Sequence, residues 1–520
     1  MLRASAISRL ATGCLATSVV VLVGVAALGT SSAVPPLGSA DNPGGWLPPY
    51  SLELNPAPEP VVALQVLGLV AGGIGVGLAL LALQRGWQPA VRRLLLGSAA
   101  AVAAFLLVRP IGSADVLSYA AYGRIAALGS DPYDIPPDEF AAATGDPVVD
   151  AVQEPWGSTT SVYGPLGTLL MRVASMIGGS SLRLTVFVLA VLGALAYLAT
   201  ALLLDRLAGP SDQRRARAAV LWAVNPLLLY ELVGGVHLDV QAVALGAAAL
   251  LVASGARVAA TVGAGMLVGA AVAIKPPFGL YGIALLVPLV VARDIRRSVA
   301  LLAGGLLVVV PAYAATGPHV FDQTREAARL ISRASPWNLI RVAVDEPFGM
   351  DTTRPILGAI AIAAALALIV LLLRATPPAQ RLHPPQLAFV LSTGWLLTAL
   401  YSLPWYDAML FAPLAVIAAT PYDGPLVTRL TVLALAYVPG RVFEEAPLSR
   451  DLSELTREWR GIITPVALLC VVIVVVVRAI AAQRGGNHTA SDRGSTVRPT
   501  TASRSAATSS GVSSERSRDV

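Results

Sequence analysis

Long apolar runs alternate along the chain with short polar interruptions, and run length sets the first expectation. A helix needs about 20 apolar residues to span a bilayer, and in lipid its backbone must satisfy its own hydrogen bonds. Runs that meet or approach this requirement lie near 10–29, 60–83, 94–111, 182–204, 218–232, 238–252, 258–274, 278–291, 298–316, 356–373, 386–402, 406–420, 426–439 and 462–477. The pattern predicts an all-α polytopic membrane protein with about 14 transmembrane helices. Three longer and more polar intervals break the rhythm, at 112–181, 317–355 and about 440–461.

The first run follows Arg3 and Arg9 and precedes the small residues Ser31-Ser32-Ala33, as a secretory signal does. Its length favours an uncleaved anchor instead. On this reading residues 1–59 form an N-terminal anchor helix and outer linker, 60–480 the transmembrane domain, and 481–520 a cytoplasmic tail. From about Arg484 the tail is rich in Ser, Thr, Arg and Ala. It has too few apolar residues to bury a core and is expected to be disordered.

Composition agrees with the pattern. The chain is 55% hydrophobic and 13% charged, where a soluble domain carries about a quarter charged residues. The net charge of +6 does not point to nucleic acid, because the arginines sit in short clusters between apolar runs. With the N-terminus in the cytoplasm, the clusters Arg85/Arg92/Arg93, Arg206/Arg214/Arg215/Arg217, Arg257, Arg293/Arg296/Arg297 and Arg374/Arg381 all fall inside. The three polar intervals then fall outside. The first of them gathers Asp115, Asp131, Asp134, Asp138, Asp150 and Glu154. Cys14 and Cys470 lie far apart within apolar runs and form neither a disulfide framework nor a zinc spacing.

Candidate chemistry concentrates where the third run exits the membrane. Asp115 opens a stretch that carries Tyr119, Tyr122 and Arg124 and continues to Asp131-Pro132-Tyr133. From Asp115 the pattern reads as a short amphipathic helix lying along the membrane surface, with Tyr119 and Tyr122 on the face of Asp115. An acid at a membrane exit, backed by aromatics and an arginine, suits a general base in a partly dry site. It equally suits an acid facing its own helix N-terminus. Further on, Tyr163-Gly164-Pro165-Leu166 reads as a turn into another interfacial helix. Glu231, His237 and Asp239 flank a glycine pair between two short runs, near membrane depth, where ionisable groups are costly. A polar hydrogen-bonding site fits them better than a metal site does. Lys275, the sole lysine, stands before Pro276-Pro277 at the outer end of a run. It suits either snorkelling or binding of a lipid phosphate. Arg333 and Arg341 are alternative phosphate ligands, and Pro404-Trp405-Tyr406 marks another aromatic outer turn.

In this order, Asp115-Val116-x-Ser118-Tyr119, Asp131-Pro132-Tyr133, Tyr163-Gly164-Pro165-Leu166, Asn225-Pro226-Leu227, Gly235-Val236-His237, Lys275 before proline, and Pro404-Trp405-Tyr406 form a series. The series resembles the actinobacterial polyprenol-phosphomannose-dependent α-1,6-mannosyltransferases of the GT-C fold, over roughly residues 60 to 420. One departure is His237-Leu238-Asp239, where the family pattern continues His-Asn-Glu. The resemblance implies a GT-C transmembrane glycosyltransferase domain with short interfacial helices in its outer loops. It implies mannosyl transfer from polyprenyl phosphomannose to an α-1,6-mannan or lipomannan-type acceptor, with inversion, on the extracytoplasmic face of the cell membrane. Asp115 takes the role of base. Tyr119, Arg124, Asp131, Tyr133, Tyr163, His237, Asp239, Lys275, Trp405 and Tyr406 are the implied substrate-binding residues, with Lys275 or Arg124 as the cation for the leaving phosphate. No cofactor and no metal are implied, and the partners are the lipid-linked donor, the glycan acceptor and the bilayer. Two other readings are a transferase of another lipid-linked sugar, arabinosyl or glucosyl, and a lipid-linked sugar flippase or transporter. Transporters tend to show internal repeats and midplane charges. The conspicuous polar residues here cluster at one membrane face.

Overall fold

The computed structural model describes residues 4–37, 47–255, 257–441 and 448–494. Among these residues the regular structure is helical, with one isolated parallel bridge between Tyr50 and Val108. The helices in chain order are α1 (Ala4–Ala27), α2 (Pro58–Gln84), α3 (Val91–Leu107), α4 (Asp115–Ala127), α5 (Pro137–Thr144), α6 (Pro165–Gly178) and α7 (Leu182–Leu207). Next come α8 (Asp212–Ala218), α9 (Pro226–Leu228), α10 (Asp239–Ala253), α11 (Val258–Ile274), α12 (Gly279–Val291) and α13 (Ile295–Thr316). The last set is α14 (Asp322–Ala327), α15 (Trp337–Phe348), α16 (Met350–Ala375), α17 (Pro384–Thr398), α18 (Ala408–Val416), α19 (Asp423–Ala436), α20 (Arg450–Glu458) and α21 (Thr464–Gly494).

Each of the apolar runs lies on helix. Seven helical stretches, including Asp212–Gly234 built from α8, α9 and two π-helical turns, are long and apolar enough to cross a membrane. The chain is therefore a multi-pass membrane protein. The remaining runs are the shorter helices α3, α10, α11, α12, α17, α18 and α19, of 9 to 17 residues. Their shortness has local causes. Lys275 stands before Pro276, which disfavours helical backbone at the residue preceding it and stops α11 there. Helix α21 runs on to Gly494, ten residues past the expected start of the tail at Arg484. The rest of the expected tail lies outside the described residues.

Helices in lipid gain little from burying apolar side chains against each other, so close approach of backbones matters. Gly68, Gly72 and Gly75 line the face of α2 that meets α1. A Cβ at these positions would stand 2.8 Å from Leu22, 2.9 Å from Ser18 and 3.0 Å from Leu15. The α11–α13 contact is tighter and reciprocal. A Cβ on Gly265 would meet the Leu301 carbonyl oxygen at 2.1 Å, and one on Gly304 the Val262 carbonyl oxygen at 2.2 Å.

The first polar interval folds into α4, α5 and α6. Helix α4 does not lie open along a membrane surface. Val116 to Gly123 are all buried, and a Cβ on Gly123 would stand 2.3 Å from the Met171 carbonyl oxygen of α6. The sequence offers α4 few polar positions with which to face water, and α6 together with Val148 and Val149 covers it. Helix α6 stands where the turn at Tyr163 predicted a second helix.

Candidate active site

Five separate segments meet where α3 ends. The turn from α3 into α4 is pinned first. Ile111 donates its amide to the Gly234 carbonyl at 2.9 Å, and Gly112 donates to Ala33 at 3.0 Å. Gly112 has φ +85°, and a Cβ there would stand 2.2 Å from the Tyr230 hydroxyl, so glycine is required on both counts. This sets Asp115 at the first position of α4, where its backbone amide is held by the Ser113 hydroxyl at 3.1 Å. An acid there also complements the helix dipole. Its side chain keeps 24% exposure.

The second segment is the turn between the α9 stretch and α10. Val236 adopts a left-handed φ of +57°, which turns His237 back toward Asp115. His237 is fully buried. Its Nδ1 lies 2.5 Å from the Glu231 carbonyl oxygen, and its Nε2 lies 3.6 Å from Asp115 Oδ2. Trp405, from the short 3₁₀ turn Pro404–Asp407, stacks on the imidazole with ring centroids 3.6 Å apart.

The third group is built on α10 and α11. Asp239, the first residue of α10, accepts both of its hydrogen bonds from Lys275 Nζ, at 2.8 and 2.7 Å. Lys275 caps α11, and its ammonium stands 4.0 Å above the Tyr406 ring. Gly164 ties the next segment to this one by donating its amide to the Ile274 carbonyl at 3.0 Å. A Cβ on Gly164 would stand 2.3 Å from the Ala273 carbonyl oxygen, so the backbones touch beside Lys275. Tyr163 then reaches Tyr119, donating to its hydroxyl at 3.2 Å with the rings edge-to-face. Burial pushes both hydroxyls well above the usual tyrosine range. Tyr163 itself and then Asp115 add to this at Tyr119, and Asp115 is the next contributor at Tyr163. Both tyrosines therefore stay protonated; Tyr163 spends its proton on Tyr119, whose own O–H is left to donate.

Asp115, Tyr119, Tyr163, His237, Asp239, Lys275, Trp405 and Tyr406 thus come together. The other three expected residues are engaged elsewhere. Arg124 donates Nε to Asp146 at 2.8 Å in a largely buried pair, so its charge is spent within the first interval. Asp131 accepts the Tyr133 amide at 2.9 Å in a local turn, and the Tyr133 hydroxyl bonds Thr168 on α6 at 2.7 Å. This anchors the loop against α6. The alternative cation Arg341 is held by Asp345 and Asn338 on its own helix. Sequence reasoning missed Tyr437, which packs edge-on against Trp405 at 5.7 Å, and Arg460, whose guanidinium lies 4.9 Å from the Tyr437 ring. The available signal was an aromatic at the end of one apolar run and an arginine at the start of the next.

The fold and cluster define a multi-pass helical membrane protein with an acid, a histidine, a lysine and tyrosine hydroxyls gathered at one end of its bundle. The N-terminal domain model of the alpha-(1->6)-mannopyranosyltransferase family matches residues 10–293, more than half of the chain, and the chain belongs to that family. The match includes every residue of the cluster except Trp405 and Tyr406. Alpha-(1->6)-mannopyranosyltransferase A of Mycobacterium tuberculosis is 32% identical over 41% of this chain and 42% of its own length. The A protein of Corynebacterium glutamicum is 29% identical over 34% of each chain. The B protein of the same organism is 28% identical over 26% of this chain and 22% of its own. The chain thus aligns with less than half of the length of these relatives. A crystal structure of ArnT from Cupriavidus metallidurans overlaps 70% of this chain and 71% of that one, at 14% identity and a TM-score of 0.35. That overlap is too loose to carry an argument.

Proposed function

We propose that the chain is a GT-C-type glycosyltransferase that moves a mannosyl residue from polyprenyl phosphomannose to an α-1,6-mannan or lipomannan-type acceptor at the extracytoplasmic face of the membrane. The reading rests on the convergence of Asp115, His237, Asp239, Lys275, Tyr119 and Tyr163 from separate segments, in a chain of the mannopyranosyltransferase family. A β-linked donor and an α-linked product call for one in-line displacement with inversion. Asp115, the least buried acid of the cluster, removes the proton from the acceptor hydroxyl as that oxygen attacks the anomeric carbon. The bond to phosphate breaks on the opposite face. Lys275 supports the departing phosphate, with Tyr119 as a neutral donor held in place by Tyr163. Its bond to Asp239 holds the ammonium in place until a phosphate competes for it.

The test uses membranes holding the full chain, radiolabelled polyprenyl phosphomannose and an α-1,6-mannoside acceptor. Wild type transfers label and Asp115→Asn does not. Equal transfer by both removes Asp115 as base, and no transfer by folded wild type removes the donor assignment. Sidedness has its own test. A cysteine at exposed Glu139 on α5 labels in intact cells with a membrane-impermeant maleimide, and labelling only after permeabilisation reverses the orientation.

A further inference from the structure

His237 was expected to bind substrate, yet it is fully buried, and its Nε2 has no hydrogen-bond partner. A carbonyl oxygen only accepts, so the 2.5 Å contact with Glu231 places a proton on Nδ1. In the neutral ring Nε2 is then a bare lone pair, and it faces Asp115 Oδ2 at 3.6 Å. Two acceptors confronting each other away from water repel, and a single proton between them turns the contact into a charge-assisted hydrogen bond.

The ring cannot turn away from this arrangement. Trp405 covers one face at an interplanar angle of 15°. At Gly235 a Cβ would stand 2.7 Å from Nδ1, so only glycine leaves space for the imidazole. An indole face also attracts a cation, so the same stacking favours the ring once it is protonated. The ionisable groups on the surrounding elements are Asp115 on α4, Glu231 before the turn, the Asp239–Lys275 pair, and Asp407, which is paired with Arg429 on α19. The last two acids already have a cation. Asp115 is the carboxylate that faces Nε2.

We infer that His237 is a positioning residue for Asp115, which takes up at Nε2 the proton that Asp115 removes from the acceptor hydroxyl. The inference rests on the mannosyl-transfer reading. In the first step the acceptor O–H bond breaks and its proton moves to Asp115, while the oxygen–carbon bond forms and the carbon–phosphate oxygen bond breaks. In the second step the proton passes from Asp115 to Nε2. This restores the carboxylate beside an imidazolium, and because the ring is fully buried the proton later leaves to solvent by way of the partly exposed Asp115. His237 never touches the sugar; it resets the base.

The experiment measures kcat and KM for the lipid donor, in membranes, for wild type, His237→Asn, His237→Gln and Asp115→Asn. Asparagine keeps an N–H near the Glu231 carbonyl and removes the acceptor facing Asp115. His237→Asn is expected to lower kcat about 10–100-fold with KM within about twofold. Glutamine restores an acceptor near the Nε2 position but cannot take up the proton, so His237→Gln stays slow in kcat with KM likewise unchanged. If His237→Asn does not fold, His237→Gln carries the test alone. A wild-type kcat in either variant overturns the inference, as does a loss confined to KM. If Asp115→Asn alone loses transfer, the mannosyl-transfer reading stands without this inference. If wild type shows no transfer, both fall.

Discussion

The two ends of the helical bundle treat buried charge differently. At the end away from Asp115, Arg217 pairs with both oxygens of Asp423 and also donates to the carbonyls of Ile417 and Leu414, which ties α8 to the end of α18 and the start of α19. Arg297 likewise binds Thr261 and the Gly255 carbonyl and holds the turn between α10 and α11. Arg217 engages all three of its guanidinium nitrogens with partners that fit its fork. At the other end polar atoms are left wanting. His237 Nε2 and Glu231 Oε1 lack partners, and Asp115 keeps part of its carboxylate open. Unpartnered buried hydroxyls are scattered over α1, α3, α6, α7 and α17, but the unpartnered imidazole and carboxylate oxygens lie at this end, where an ionisable group without a partner is costly. The first end is a clamp, and the second is the candidate site.

The largest expected effect is at Asp115. Asp115→Asn keeps the size of the side chain and removes the proposed base, and transfer should fall about 10³-fold, within the range for a lost general base. The radiolabel assay reads it, and thermal unfolding in detergent should be unchanged. Arg217→Met is the matching break at the clamp. It strands Asp423 in a buried place and should cost about 3–5 kcal/mol of stability, read as a lowered unfolding temperature. Adding Asp423→Leu should recover most of that loss. A variant at Arg217 that abolishes transfer without loss of stability would dissolve the contrast between the two ends.

Lys275→Met tests the pair inside the site. Transfer should fall about 10²-fold, as for a lost electrostatic stabiliser. The double variant with Asp239→Leu should regain stability but not transfer, because removing both charges ends the desolvation cost and still leaves no cation for the phosphate. Recovery of transfer in the double variant would mean that Lys275 serves packing alone. The smallest effect is at Arg124. Arg124→Lys keeps the charge opposite Asp146 and should leave kcat and KM within about twofold, since exchanges that preserve an ion pair away from the chemistry change little. A large loss there would return Arg124 to the site and contradict its pairing.

The apolar runs were legible because lipid leaves the backbone one economical choice, so run length alone implies helix. The residues of the cluster were legible one by one. Asp115, His237, Asp239 and Lys275 are ionisable groups at the ends of apolar runs, where charge is costly and needs a reason. Their separation into roles was not legible. Arg124 lies nine residues from Asp115 on the same helix and reads as a site cation, yet Asp146 claims it. His237 reads as a ligand for substrate, yet it is fully buried with its Nε2 facing the Asp115 carboxylate. Helix α4 reads as an open surface helix, yet α6 buries it.

By itself, the sequence determined that this chain crosses the membrane repeatedly as helices and that its acids and aromatics collect in the longer polar intervals. Those are consequences of local composition, which acts on each segment separately. The tertiary structure alone decided which charges neutralise one another and which remain available. That depends on distances between segments as far apart as Asp115 and Trp405, and an ion pair or a stacked ring exists only once the chain has brought both partners to the same place.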